Sequence, residues 1–331
     1  MYSDNALAII LLCSHLNIQD KILKPYSAVQ WNTLAERIVS SHLNEPADLI
    51  GLTIEEIQNA LQIDSEEAIR IDKLLSRGAS VALQIDRLEQ NGIKIVTRGD
   101  KEYPTRVKKR LGKNAPPLFY YAGDLALLNL KSIAIVGSRN ISEEGQKIAN
   151  DVAKKFTENK LAIVSGGAKG VDSISEQAAL ESGGVVVSFV ADSLEKKIKN
   201  KEVRNDILAR RKLLITSQNP ELGFSAGYAM NRNKYIYSVS SSAFVISSDF
   251  NKGGTWNGAI ENIKNKWVPT YVYNSTLSEG NSALIAKGAI AFDNIDNIDI
   301  SALSTITYQP VKQLDLFNSP KVSDSLARTK Y

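Results

Sequence analysis

The chain has 331 residues, 40 of them Lys or Arg and 36 Asp or Glu, for a formal net charge of +4. That length fits one sizeable α/β domain with a smaller partner, and so small a net charge leaves any case for nucleic acid to the local placement of cations. No apolar run approaches the roughly eighteen residues of a membrane span, the single cysteine, Cys13, excludes an internal disulfide or a cysteine-based zinc site, and the two histidines, His15 and His42, exclude histidine-centred catalysis in the main domain.

Residues 1–90 carry helical periodicity and little strand signal, with helices expected near Asn5–Leu16, Ser27–Ser40, Ile54–Leu61 and Ser65–Leu75. The apolar stretch Ala6 to Cys13 follows Asp4 and has no basic leader or small-residue cleavage pattern, so it reads as a buried first helix and the chain as cytoplasmic. Thr53-Ile54-Glu55-Glu56 is a capping box, in which hydroxyl and carboxylate each satisfy a backbone amide. The region reads as a small all-α domain of the SAM or helix-hairpin-helix kind, for which packing alone is the simpler role and contact with a DNA backbone the alternative.

From Gly92 the pattern turns to α/β and continues to residue 306. Ile93–Val96 is a brief strand, Tyr103-Pro104 a turn and Pro116–Tyr121 an extended apolar segment. Ser132–Val136 is a buried strand, followed by Gly137 and a helix whose inward face is Ile148, Val152 and Phe156. Leu161–Val164, Gly184–Phe189, Leu213–Ile215, Phe244–Ile246 and Thr270–Val272 repeat the strand pattern with helices between most of them. The fold expected is α/β, an extended Rossmann-like, doubly wound, mostly parallel sheet preceded by the helical domain. Residues 307–331 are polar and read as a flexible tail.

Ligands of open parallel sheets bind beyond the carboxyl ends of the strands, and glycine-rich turns stand at three such ends. In Gly137-Ser138-Arg139 the glycine admits an anion to the backbone and the arginine can grip a phosphate bidentately. The dinucleotide fingerprint G-x-G-x-x-G is missing, which argues against an NAD site, and no cofactor is expected. Ser165-Gly166-Gly167-Ala168-Lys169-Gly170-Val171-Asp172 leaves a strand and opens a helix read as Ser173–Glu181; successive amides, the helix dipole and Lys169 favour phosphate over an empty tight turn. The third turn, Lys252-Gly253-Gly254-Thr255-Trp256, opens a helix read as Trp256–Lys264 and offers a cation, amides and a hydroxyl, with Trp256 in the core. Arg232, Asn233 and Lys234, read as the start of a helix carrying Tyr235 and Tyr237, add contacts to phosphate or a base edge.

The combination Gly137-Ser138-Arg139, Ser165-Gly166-Gly167-Ala168-x-Gly170-x-Asp172, Arg232-Asn233 and Gly253-Gly254-Thr255, in this order, resembles the DprA/Smf DNA-processing proteins. Gly92-Ile93 through Asp100, Tyr103-Pro104 and Pro116-Pro117-Leu118 are similar to the lead-in of that family's extended Rossmann domain, so the resemblance spans residues 20–295. It implies single-stranded DNA binding along a basic pocket, protection of the strand and help in loading the RecA recombinase, from a homodimer. By position it carries over Arg139, Lys169, Arg232 and, less directly, Lys234 and Lys252 as phosphate contacts. Glu176 stands where the family often has histidine, Ala229-Met230 where it has an aromatic-proline pair, and the family's common C-terminal winged helix is not expected here.

In the tail, Gln313-Leu314-Asp315-Leu316-Phe317 looks like the peptide by which bacterial replication proteins enter the hydrophobic pocket of the sliding clamp. Leu316 and Phe317 would fill the pocket, supported by Leu314, with Gln313 hydrogen-bonding; a last amphipathic turn packed on the domain is the alternative. No catalytic constellation emerges: there is no Ser/His/Asp set, metal-ligand cluster or P-loop, and Asp172 reads as a capping residue before an acid/base partner of Glu176. A nucleotide-hydrolysing enzyme related to phosphoribohydrolases would need Pro-Gly-Gly-x-Gly-Thr-x-x-Glu, of which Lys252–Trp256 lacks the proline, a glycine and the glutamate. A nucleotide sensor using the same pocket is the third reading.

Overall fold

The computed structural model describes residues 2–20, 22–275 and 278–303. Five helices come first: α1 (Asp4–Cys13), α2 (Ala28–Ser40), α3 (Ile54–Leu61), α4 (Ser65–Leu75) and α5 (Gly78–Gln90). Capping boxes at Ser27/Gln30 and Thr53/Glu56 set the starts of α2 and α3. The expected first helix ends three residues early, at Cys13, because the chain turns extended at Ser14.

Nine strands then form one sheet: β1 (Lys94–Thr97), β2 (Leu118–Ala122), β3 (Ser132–Val136), β4 (Ala162–Ser165), β5 (Val186–Phe189), β6 (Lys212–Thr216), β7 (Ser242–Val245), β8 (Thr270–Tyr273) and β9 (Ile290–Phe292). Their order is β1-β2-β6-β5-β4-β3-β7-β8-β9. Only the β1/β2 and β2/β6 pairings are antiparallel; the seven strands from β6 to β9 run parallel. The fold is thus an α/β, Rossmann-like, mostly parallel sheet behind a helical region.

Side-chain alternation along the strands sorts the core into two layers. Ile133 and Ile135 of β3 face α7 (Glu143–Glu158) and α8 (Val171–Glu181), where Val152, Phe156, Ala178 and Ala179 bury against them. Ala134 and Val136 face the opposite layer, built by α6 (Thr105–Leu111), α11 (Ala226–Val239) and α12 (Gly253–Asn265) around Val107, Tyr235, Ile236 and Trp256. The helical region has no separate core: its cluster, centred on Ile9, Leu12, Trp31 and Ile71, continues through Ile95, Tyr120 and Leu214 and closes over α9 (Leu194–Lys197), next to α10 (Lys201–Leu208). Beyond α12 the chain adds α13 (Glu279–Ala286) and α14 (Ile300–Leu303).

Helix α11 is anchored at its C-terminal end. Its last carbonyls have no intrahelical donors, and two arginines of α6 supply them. Arg106 Nη1 donates to Val239 O at 2.7 Å, and Arg110 Nη1 to Ser238 O at 3.0 Å and Ser240 O at 2.5 Å. Cations at that end also complement the helix dipole. No helix among the described residues is long and apolar enough to cross a membrane.

Candidate functional site

The sheet order reverses between β3 and β7, which pair in parallel from Ile133↔Ser242 to Val136↔Val245. Turns leaving neighbouring strands at such a point diverge to opposite faces and open a crevice. A cavity of about 550 Å³ occupies it, lined by Gly137, Ser138, Arg139, Arg232, Asn233, Lys252 and Gly253-Gly254-Thr255 among others. The first turn, the third turn and Arg232-Asn233 therefore converge, although 95 residues separate Gly137 from Arg232 along the chain.

The first turn is held rigidly. Ser138 N–H donates to Ser247 O at 2.9 Å and the Ser138 hydroxyl to the same carbonyl at 3.3 Å, so both of its donors tie β3 to the segment after β7. Arg139 is exposed, its guanidinium 4.6 Å above the Phe224 ring. The third turn is the first turn of α12 itself: the helix begins at Gly253, three residues before the expected start, and no side chain caps its amides. Those amides carry the positive end of the helix dipole toward the cavity. Asn233 Nδ2 donates to Gly254 O at 2.7 Å and locks α11 to α12, while Lys252 stands exposed at the rim.

The second turn is arranged differently. Its helix, α8, begins at Val171, and two carboxylates of α8 already take the turn's amides: Gly167 N–H donates to Glu176 Oε1 at 2.9 Å and Ala168 N–H to Asp172 Oδ2 at 3.4 Å. Ser165 Oγ donates to Ile135 O at 2.7 Å and serves strand-to-strand packing. Gly166 is a floor for Arg232, since a methyl there would lie 1.5 Å from Arg232 Nη1. Gly170 is forced by backbone, with φ +83° and a Cβ position 2.4 Å from Ser138 O. Lys169 is exposed and outside the cavity lining. Lys197 of α9 instead reaches this turn, donating to Gly167 O at 3.2 Å.

Arg232 is the centre of the site. It lies in the second turn of α11, six residues past the helix start, and not at a helix start as the sequence suggests. Its side chain is 8% exposed, and its Nε and Nη1 have no hydrogen-bond partner. Burial pulls its pKa down, against the pull of Asp172, Glu176 and Asp192. Burial likewise pushes the Asp172 carboxyl up to about 6, with Arg232 opposing the shift. Glu176 is balanced on its other oxygen by Lys212 at 3.0 Å, an ion pair that is itself buried. Nearby carboxylates thus favour the charge of the buried guanidinium without saturating its donors. Lys234, in contrast, points away: its ammonium is 5.4 Å from the Tyr235 ring, near Glu261 of α12, and does not line the cavity.

Sequence reasoning passed over two participants: Phe224, which lines the cavity, and Lys212, whose ion pair with Glu176 buttresses its floor; Glu176 and the cavity-lining Met230 were noted only for differing from the family pattern. Phe224 sits in an irregular segment with no periodicity to flag it. Lys212 opens a strand 36 residues after Glu176, and only the sheet order makes them neighbours. The peptide Gln313–Phe317 lies outside the described residues.

A family model described as DNA recombination-mediator protein A matches residues 94–302, a span that takes in the whole sheet and all three turns. The chain belongs to that family. Among curated members, it is 30% identical over 180 residues to the DNA processing protein DprA of Streptococcus pneumoniae, an alignment covering 53% of this chain and 63% of that one. With DprA of Bacillus subtilis it shares 25% over 166 residues, covering 50% and 55% of the two chains. The chain thus spans under two-thirds of the length of these relatives. Of solved structures, DprA from S. pneumoniae superposes with a TM-score of 0.64 at 22% identity, over 88% of this chain and 95% of that one, and shares the fold. DNA processing protein A of Helicobacter pylori, studied for its single-stranded DNA binding mode, superposes with a TM-score of 0.52 at 26% identity, over 62% of this chain and 93% of that one.

Proposed function

We propose that the switch-point cavity binds the phosphate backbone of single-stranded DNA, and that the protein acts as a non-catalytic recombination mediator. The observation that carries the reading is Arg232: a buried guanidinium with two unpartnered nitrogens, facing a cavity that also presents Arg139, Lys252 and the uncapped amides of α12. Buried donors cost free energy when unpaired, and a phosphate oxygen is the partner that suits a guanidinium best. The reading agrees with the DNA-binding relative from H. pylori. Three cations gathered at one cavity suit a short stretch of single strand better than the extended backbone of a duplex.

The test is fluorescence anisotropy with labelled single-stranded and duplex oligonucleotides at two salt concentrations, comparing wild type with Arg139→Ala/Arg232→Ala. Losing two charge-assisted contacts should weaken single-strand binding by at least about 100-fold. It should also flatten the log–log salt slope by about 1.4. Undiminished binding by the double variant would refute the assignment.

Family membership extends the reading to strand protection, RecA loading, a cytoplasmic setting and a homodimer; sedimentation of the purified chain checks the last. The peptide Gln313–Phe317 is proposed to dock on the sliding clamp, with Leu316 and Phe317 as anchors. Calorimetry with purified clamp should lose its signal in Leu316→Ala/Phe317→Ala, and an unchanged titration would dismiss the peptide.

A further inference from the structure

Among the described residues only three aromatic side chains stand exposed, Phe224 (53%), Tyr228 (42%) and Phe250 (41%). Each stands beside one of the site's cations. Phe224 lies under the Arg139 guanidinium at 4.6 Å. Tyr228 is one helical turn ahead of Arg232 on α11, and so on the same helix face. Phe250 is two residues ahead of Lys252 and meets Trp256 edge-on at 5.4 Å. Leu222 (41%) and Met230 (44%), in the same stretch of chain as Phe224 and Tyr228, are exposed as well, and Phe224 and Met230 line the cavity itself. Burial of such side chains is the rule, and a cluster left in water marks a contact surface.

We infer that Phe224 is a base-stacking platform, the principal residue of an aromatic rim that receives the nucleobases of the strand whose phosphates enter the cavity. The inference rests on the proposed single-strand reading and adds to it the residue that distinguishes bases from bare backbone. The arrangement suits that chemistry on two counts. Arg232 is buried at the base of the cavity, whereas Phe224 is half exposed in its lining beside Arg139, so a phosphate can reach the guanidinium while the neighbouring base meets the ring. Arg139 also covers one face of Phe224 by a cation–π contact, which fixes the ring and leaves its other face for a base. An apolar protein partner would have no use for the alternation with Arg139, Arg232 and Lys252. Duplex DNA, with its bases already stacked on one another, offers the rim nothing. Stacking of this kind tolerates any base, so the rim selects for single-strandedness and not for sequence.

The experiment titrates wild type, Phe224→Ala and Phe224→Trp with two labelled oligomers of equal length, one of thymidine and one abasic, over a salt series. Wild type is expected to prefer the thymidine strand. Phe224→Ala should lose about 5-fold to about 100-fold on that strand while changing less than about twofold on the abasic one, with its salt slope kept because the phosphate contacts remain. Phe224→Trp should restore the preference, with tryptophan fluorescence quenched by the thymidine strand only. Equal weakening on both oligomers would make Phe224 a support for Arg139 and overturn the platform. So would a shift in oligomeric state with base preference intact, which would mark an interface between proteins. Wild-type binding of both strands without preference sinks the platform alone, whereas wild-type binding of neither sinks the single-strand reading beneath it.

Discussion

Adding one methyl group at Gly166 tests whether the cavity works through a positioned guanidinium. A Cβ there would lie 1.5 Å from Arg232 Nη1, 2.3 Å from Cζ and 2.4 Å from Nη2. Ordinary contact needs about 3.5 Å, so the guanidinium must retreat by about 2 Å, out of register with any bound phosphate. A charge-assisted hydrogen bond is worth about 1.5–3 kcal/mol, so Gly166→Ala should weaken single-strand binding about 10-fold to about 100-fold and reduce the salt slope by about 0.7. Because the whole effect travels through Arg232, adding Gly166→Ala to Arg232→Ala should cost nothing further, a non-additivity that a double-mutant cycle reads directly. Anisotropy titration of the four proteins decides it. Wild-type affinity in Gly166→Ala, or a full additional loss in the Arg232→Ala background, would refute the reasoning.

Two further outcomes are expected. Asp172 is pushed up to about 6 from an ordinary 3.8, so the folded protein holds that proton more tightly than the unfolded chain. Its contribution to stability therefore falls as pH rises from about 4 to about 6, by up to ~1.4 kcal/mol per unit. Single-strand affinity should also rise as pH falls toward 5.5, because the protonated carboxyl no longer offsets Arg232; urea melts and titrations of Asp172→Asn should lose both dependences. Asn262, fully buried, donates to Val268 O at 2.9 Å and Thr270 Oγ1 at 2.6 Å and accepts from Val268 N–H at 3.1 Å, closing the α12–β8 connection. Asn262→Ala should cost about 1–3 kcal/mol in urea unfolding with single-strand binding at constant folded fraction unchanged.

Residue patterns alone determined a good deal of this protein. Continuous apolar runs such as Ser132–Val136 betray strands buried on both faces, and Thr53 and Glu56 mark the start of α3 because capping is local chemistry. The order of the glycine-rich turns was enough to raise the family resemblance that the match over residues 94–302 establishes. What local patterns left open was which turn is available to a ligand. The three turns look alike as strings of glycine and cation. Yet Glu176 and Asp172 take the amides of Gly167 and Ala168, while no side chain caps the start of α12. The same holds for the cations: Arg232 and Lys234 are two residues apart, and only the packing of α11, anchored by Arg106 and Arg110, turns one into the cavity and the other toward Glu261. Glycines and charges are written in the chain, but hydrogen-bond capacity is spent between residues far apart in sequence. Which donors remain for a ligand was therefore decided by tertiary structure alone.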